Sequence, residues 1–238
     1  MQFLMNKTDP LPYPKDTDAD VIAVSQHLTS ERMIEGYGIG LFPWNDHDDE
    51  PVNWWSPRIR GVFLPDNFHT SRSFARFLRK TTYRITFDSS FQAVVRGCAS
   101  RDKTWITPNM FKCYGELFDI GVSHSVEVWD AGLLVGGIFG IGIGRIFIGE
   151  SMFSTATNAS KLALKVLLNR LKDSQFLLLD TQMPTPHLHS LGCLSVSRDE
   201  YLKLLKMNQL SVCTVPGKWR PGDSRRGWKW LDPSHSSQ

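Results

Sequence analysis

With 238 residues, 41% of them hydrophobic, the chain can fill one large core or one core and a small satellite. No run approaches the roughly 20 apolar residues of a membrane span, and the opening Met1 to Lys15 lacks the charged, apolar and cleavage regions of a secretory leader, so a cytoplasmic, monomeric protein is expected. The net charge of +3 permits a polyanionic partner without demanding one.

Residues 1–66 are rich in Pro, Asp and Trp and read as a small irregular N-terminal domain. It holds one helix near Ser30 to Tyr37 and two aromatic turns, Phe42-Pro43-Trp44 and Trp54-Trp55-Ser56-Pro57. A basic tract follows, in which Arg72, Arg76, Arg79 and Lys80 fall largely on one helix face. Such a stripe is either a solvated face or a set of phosphate contacts. From Tyr83 the pattern becomes regular: Tyr83, Ile85 and Phe87 alternate as a strand, and two helices come next. Thr107 is placed to cap the second of these, Pro108 suits its first turn and Gly121 its end. His124 to Asp130, Leu133 to Ile143 and Arg145 to Phe153 read as a meander of strands. An amphipathic helix to about Lys172, a buried strand from Phe176 to Thr181 and a last helix with Ser197 and Glu200 in capping-box spacing complete the order.

That order matches an α+β domain of the Gcn5-related acyltransferase type over residues 67–215, with a mixed, largely antiparallel central sheet whose middle strands splay around an activated acyl group. Residues 216–238 are basic and poor in aliphatic side chains, and are expected to form a mobile or surface-draped tail. Cys98, Cys113, Cys193 and Cys213 are scattered without a C-x-x-C pair, which suits reduced thiols and neither a disulfide framework nor a zinc knuckle.

The glycines from Gly136 to Gly144 form neither G-x-G-x-x-G nor a Walker loop, so they read as a strand that bends or admits close approach. Directly after them Glu150 interrupts an apolar strand end. A buried acid needs a partner: either a structural one such as Arg145, or a cationic substrate. In Leu177-Leu178-Leu179-Asp180-Thr181-Gln182 a strand ends with an acid and an amide at i and i+2, a spacing that points both to one face. Asp180 either caps a turn or takes a proton from an attacking amine, with Gln182 orienting the reacting groups. Trp44, Trp54, Trp55, Trp105 and Tyr114 supply either core or stacking surfaces for a nucleobase and an apolar acyl group. His187 and His189 lack a third ligand nearby, so no metal is expected, and no cofactor either.

Eight motifs in register, from Leu41-Phe42-Pro43-Trp44 through Phe68-His69-x-Ser71-Arg72-Ser73, Thr104-Trp105-Ile106 and Gly149-Glu150-Ser151-Met152-Phe153-Ser154 to Asp180-Thr181-Gln182, resemble the leucyl/phenylalanyl-tRNA-protein transferase family over residues 20 to about 206. The resemblance implies transfer of Leu or Phe, and sometimes Met, from aminoacyl-tRNA to proteins beginning with Arg or Lys, marking them for degradation. It also implies that Trp44, Trp105 and Tyr114 line the aminoacyl-adenosine site and that Gly149 borders its apolar pocket. Asp180, Gln182 and Glu150 are the implied catalytic and substrate-site residues, and Arg72, Arg76, Arg79 and Lys80 the tRNA-facing ones. Two positions depart from the family pattern: Ser25 to Ser30 replace a Gly-Gly-Asp-Leu-Ser-Pro turn, and Thr185 stands where Asn is usual. Leu162, Leu167 and Leu171 imply a more aliphatic pocket wall.

Two other readings stay open on the residues. A CoA-dependent N-acetyltransferase would share the fold, although the chain lacks an Arg/Gln-x-x-Gly-x-Gly/Ala loop. An RNA-binding protein without turnover would share the basic tract.

Overall fold

The computed structural model describes residues 1–209 apart from 5, 7, 16 and 101–103, together with Trp219. The first sheet has four strands: β1 (Gln2–Leu4), β2 (Val21–Ser25), β3 (Phe42–Trp44) and β4 (Val52–Trp55), in the order β1-β2-β4-β3. Between β2 and β3 lies helix α1 (Ser30–Gly38). Thr29 caps α1, its hydroxyl accepting from the Arg32 N–H at 3.2 Å, so the turn that departs from the family pattern still satisfies an orphan donor.

Strand β5 (Ile59–Phe63) and helix α2 (Arg72–Leu78) come next, followed by β6 (Arg84–Phe87), α3 (Phe91–Ala99) and α4 (Pro108–Asp119). The remaining elements are β7 (Ser123–Asp130), β8 (Leu133–Ile143), β9 (Ile146–Ser154), α5 (Ala159–Asp173), β10 (Leu178–Gln182), α6 (Pro186–Ser190), β11 (Leu194–Ser197) and α7 (Arg198–Gln209). Seven of these strands make the second sheet, ordered β11-β5-β10-β9-β8-β7-β6. Only β9 and β10 run parallel in it, because the crossover through α5 joins them; the other neighbours are antiparallel. β5, which precedes residue 66, is an inner strand of the large sheet.

Strand alternation builds two core layers. Ile146, Ile148 and Leu178 face α3, α4, α1 and α7, whereas Phe147 and Leu179 face α5. The capping of α4 follows its sequence: Thr107 accepts from the Met110 N–H at 3.2 Å, Pro108 occupies the first turn, and Gly121 takes φ +74° beyond the end. The Ser197 and Glu200 capping box also forms, with Ser197 N–H donating to Glu200 at 2.8 Å and Glu200 N–H to Ser197 Oγ at 3.2 Å. Residues 216–238 lie outside the described part except Trp219, which is 2% exposed. At that one position the expected surface-draped tail is a core side chain.

Candidate active site

Two irregularities in neighbouring strands create the site. In the β8/β9 ladder Phe139 pairs with Ser151 and Gly140 with Gly149, leaving Glu150 as the extra residue of a bulge. In the β5/β10 ladder the register shifts between Asp180 and Gln182, leaving Thr181 extra. The parallel β9/β10 pairing ends at Ile148 and Asp180, so the strands part just where Glu150 and Gln182 project. A bulge re-aims a side chain, and here two bulges aim at one gap. Gly140 makes the first possible: a Cβ there would lie 2.1 Å from the Ile148 carbonyl oxygen. Gly149 sits against β10, where a Cβ would meet Leu179 Cδ1 at 3.2 Å.

Glu150 Oε2 accepts from the Tyr114 hydroxyl at 2.8 Å, and Oε1 accepts from Gln182 Nε2 at 3.3 Å. The Tyr37 hydroxyl of α1 is buried nearby without a hydrogen bond of its own among the described residues. Burial raises the Glu150 pKa to about 7, with the nearby Asp180 charge adding to it, while Tyr114, Tyr37 and Gln182 hold it back. Burial and the Glu150 charge push Tyr114 and Tyr37 well above the usual phenol range, so both stay protonated and Tyr114 remains a donor to Glu150. Arg145, the expected structural partner of Glu150, instead donates to the Gln175 carbonyl.

Asp180 is fully buried and saturated. Its Oδ1 accepts from Arg60 Nε at 3.0 Å and from the Gln182 N–H at 2.7 Å, and its Oδ2 accepts from Arg60 Nη2 at 2.8 Å. The Arg60 guanidinium lies between the rings of Phe42 and Tyr201, 5.0 and 4.4 Å from their centroids, and Nη1 donates to the Gly40 carbonyl at 3.4 Å. Burial works against the charge on Arg60, but the Asp180 carboxylate outweighs it and the pKa rises. Gln182 has φ +62°, a left-handed conformation uncommon outside Gly, and its N–H is held there by Asp180.

An aromatic wall leads outward. Tyr114 makes an edge contact with Trp105 at 6.4 Å, and Trp105 stacks on Trp44 at 5.6 Å and 26°. Trp44, Trp105, Tyr114, Glu150, Gln182 and Asp180, expected from sequence, therefore form one connected group, whereas Gly149, next to Glu150 on β9, faces Leu179 on the α5 side of the sheet. Leu162, Leu167 and Leu171 do not join it: they are buried in the α5 layer, on the other side of the sheet from Tyr37 and Tyr114. Arg72, Arg76, Arg79 and Lys80 lie on α2 and the turn after it, which packs through Phe74 against that same α5 layer. There Lys161 and Lys165, four apart on α5, lie over the rings of Phe74 and Phe68 and extend the basic face. Thr185 caps the short α6, accepting from the Leu188 N–H at 3.2 Å.

Sequence reasoning missed Arg60, Tyr37 and Tyr201. Arg60 had a signal, a cation within an otherwise apolar strand; the two tyrosines look like ordinary helix core.

Family models described as leucyl/phenylalanyl-tRNA protein transferase and as its N-terminal domain match residues 62–206 and 26–58. A leucyl/phenylalanyl-tRNA–protein transferase of Pseudomonas fluorescens is 48% identical over 190 residues, 78% of this chain and 84% of that protein. One from Azotobacter vinelandii is 48% identical over 185 residues, 76% of this chain and 81% of that protein. Among solved structures, a conserved protein of unknown function from Bacteroides thetaiotaomicron covers 65% of this chain and 56% of its own at TM-score 0.40 and 15% identity. The C-terminal domain of a putative lysylphosphatidylglycerol synthetase from Agrobacterium fabrum covers 82% and 65% at TM-score 0.39 and 10% identity. Both likenesses are too low to carry an argument. The sequence matches are of another order, and on them the chain belongs to the leucyl/phenylalanyl-tRNA protein transferase family.

Proposed function

We propose that this chain moves Leu or Phe, and sometimes Met, from aminoacyl-tRNA to the α-amine of an acceptor protein beginning with Arg or Lys, marking the acceptor for degradation. The carrying observation is the Tyr114–Glu150–Gln182 group at the foot of the Trp44–Trp105 wall. A flat aromatic face suits the terminal adenine of a tRNA, and a carboxylate of pKa about 7 suits a cationic amine that must lose a proton. The acceptor nitrogen bonds to the ester carbonyl carbon, the ester C–O bond to the ribose breaks, and one proton passes from nitrogen to the departing ribose oxygen. Glu150 carries that proton, and Gln182 and Tyr114 fix the carboxylate that does so. The donor ester is already activated and the α-amine has a reference pKa of about 8, so positioning is the main task.

Arg72, Arg76, Arg79 and Lys80, joined by Lys161 and Lys165, form the surface for the tRNA backbone. The Gcn5-type reading is supported by the parallel β9/β10 pair that parts beside Gly149. A single chain suffices, since every group named comes from one copy, and the buried thiols of Cys113 and Cys193, which form no disulfide, suit a reducing cytoplasm.

The test is incubation with labelled Leu-tRNA or Phe-tRNA and a peptide starting with Arg, beside an acetyl-CoA control. Label in the peptide that depends on tRNA and disappears in Glu150→Gln is the expected result; acetylation, or tRNA binding without transfer, overturns it.

A further inference from the structure

Asp180 and Arg60 present a problem that the transfer reaction does not by itself explain. Both are buried, at 0% and 1% exposure, and together they occupy the middle of the protein beside the site. Both Asp180 oxygens are taken by Arg60, and Oδ1 also holds the Gln182 N–H. With its oxygens committed in this way, Asp180 is placed to hold a shape.

The partners of Arg60 show what shape that is. Its guanidinium touches Gly40 and Phe42 of the small unit, Asp180 of β10 and Tyr201 of α7. Phe42 precedes Trp44 by two residues on β3, so the side chain that stacks on Trp105 is carried by a strand resting on Arg60. Gln182 follows Asp180 by two residues, and its left-handed backbone, pinned by Asp180, delivers Nε2 to Glu150. One cation therefore ties the adenine-facing wall to the carboxylate.

We propose that Arg60 is a positioning residue for the transfer reaction: through Asp180 it sets the turn at Gln182 that holds Glu150, and through Phe42 it sets the strand that bears Trp44. This rests on the transferase reading above. Arg60 touches no substrate, and Asp180 acts through Gln182 and not on the amine.

The experiment compares the full-length wild type with Arg60→Lys, Asp180→Asn and the double variant Arg60→Gln/Asp180→Asn, the last of which leaves no lone charge buried. kcat, KM for Leu-tRNA and for an Arg-starting peptide, the pH dependence of kcat, and thermal melting are measured for each. Arg60→Lys keeps the charge but not the two-pronged geometry, and is expected to melt within a few degrees of wild type while kcat falls about 10- to 100-fold. The double variant is expected to exceed Asp180→Asn in kcat by about 10-fold, because the single variant leaves the Arg60 guanidinium buried without its partner, and to keep the acidic limb of the wild-type profile, because the amide oxygen introduced by Asp180→Asn can still accept from the Gln182 N–H. The proposal is overturned if Arg60→Lys turns over like wild type, or if the double variant is as inactive as Asp180→Asn and lacks the acidic limb, which would make Asp180 the proton acceptor. Failure of the wild type to transfer from tRNA at all sinks the transferase reading instead, so the two failures are distinguishable.

Discussion

Glu150 and Gln182 meet at 3.3 Å across 32 residues of chain, each projecting from a bulge in a strand that has just parted from the other. The pair joins two strand ends in one hydrogen-bonded group, and the proton-handling role proposed for it is open to measurement.

Glu150 should give transfer an acidic limb. Its pKa is raised from 4.5 to about 7, so kcat should rise with pH through about 7 and level off above, as the carboxylate ionises. The groups facing it are Tyr114, Tyr37, Gln182 and the Asp180–Arg60 ion pair, and neither tyrosine ionises in that range. Glu150→Gln should lose about 100-fold or more in kcat and flatten the limb. A pH-independent kcat from about 5.5 to about 8.5 in wild type would contradict the assignment.

The same residue should cost stability. A carboxyl whose folded pKa lies above its unfolded value binds more protons in the native state, so stability is present below the unfolded value and declines as pH rises toward the folded one. With 4.5 and about 7 as the two values, the decline is about 3 kcal/mol between pH 4.5 and 7. Glu150→Gln should therefore lose less stability than wild type over that interval, seen as a smaller fall in urea midpoint.

Tyr114→Phe tests the hydrogen bond itself. Removing a donor to the ionised form pushes the Glu150 pKa further up, so the acidic limb should move to higher pH. kcat near neutral pH should drop about 10-fold and recover in part at about pH 8.5. A profile unmoved by this change would mean the contact does not persist in solution.

Trp219 carries a stability prediction. Its indole stacks on His124 at 4.2 Å and 6°, meets Phe147 at 5.5 Å and lies 5.3 Å from the Arg170 guanidinium, while its backbone N–H donates to Asp88. Trp219→Ala should destabilise by about 3–5 kcal/mol. Denaturant melts followed by circular dichroism would show it; a loss under about 1 kcal/mol would mean the indole does not stay in its socket.

The basic face predicts salt behaviour. Replacing Arg72, Arg76, Arg79 and Lys80 by Ala should weaken tRNA binding and make its dependence on log salt shallower by about 3. kcat at saturating tRNA should stay close to wild type. An unchanged salt slope would place the tRNA elsewhere.

Much was legible because it is local. Thr107 and Pro108 announce α4, Ser197 and Glu200 announce α7, and the alternation from His124 to Phe153 announces the meander; each signal depends on neighbours within a few residues. The motifs further named Trp44, Trp105, Tyr114, Glu150, Asp180 and Gln182, which the fold does bring together. β5 was hidden because Ile59 to Phe63 is short and interrupted by Arg60 and Gly61, and its place inside the large sheet comes from pairing with β10, some 120 residues on.

What sequence alone determined, then, was the order of elements, the family and the chemical types at the site. The tertiary structure decided their surroundings. Whether a carboxylate is a base or a strut depends on what surrounds it: Asp180 lies beside a guanidinium that satisfies it, whereas Glu150 lies among neutral donors in a low-dielectric pocket that keeps its proton exchangeable near neutrality. Those surroundings are assembled from α1, α4, β5 and α7, segments whose contacts no local pattern encodes.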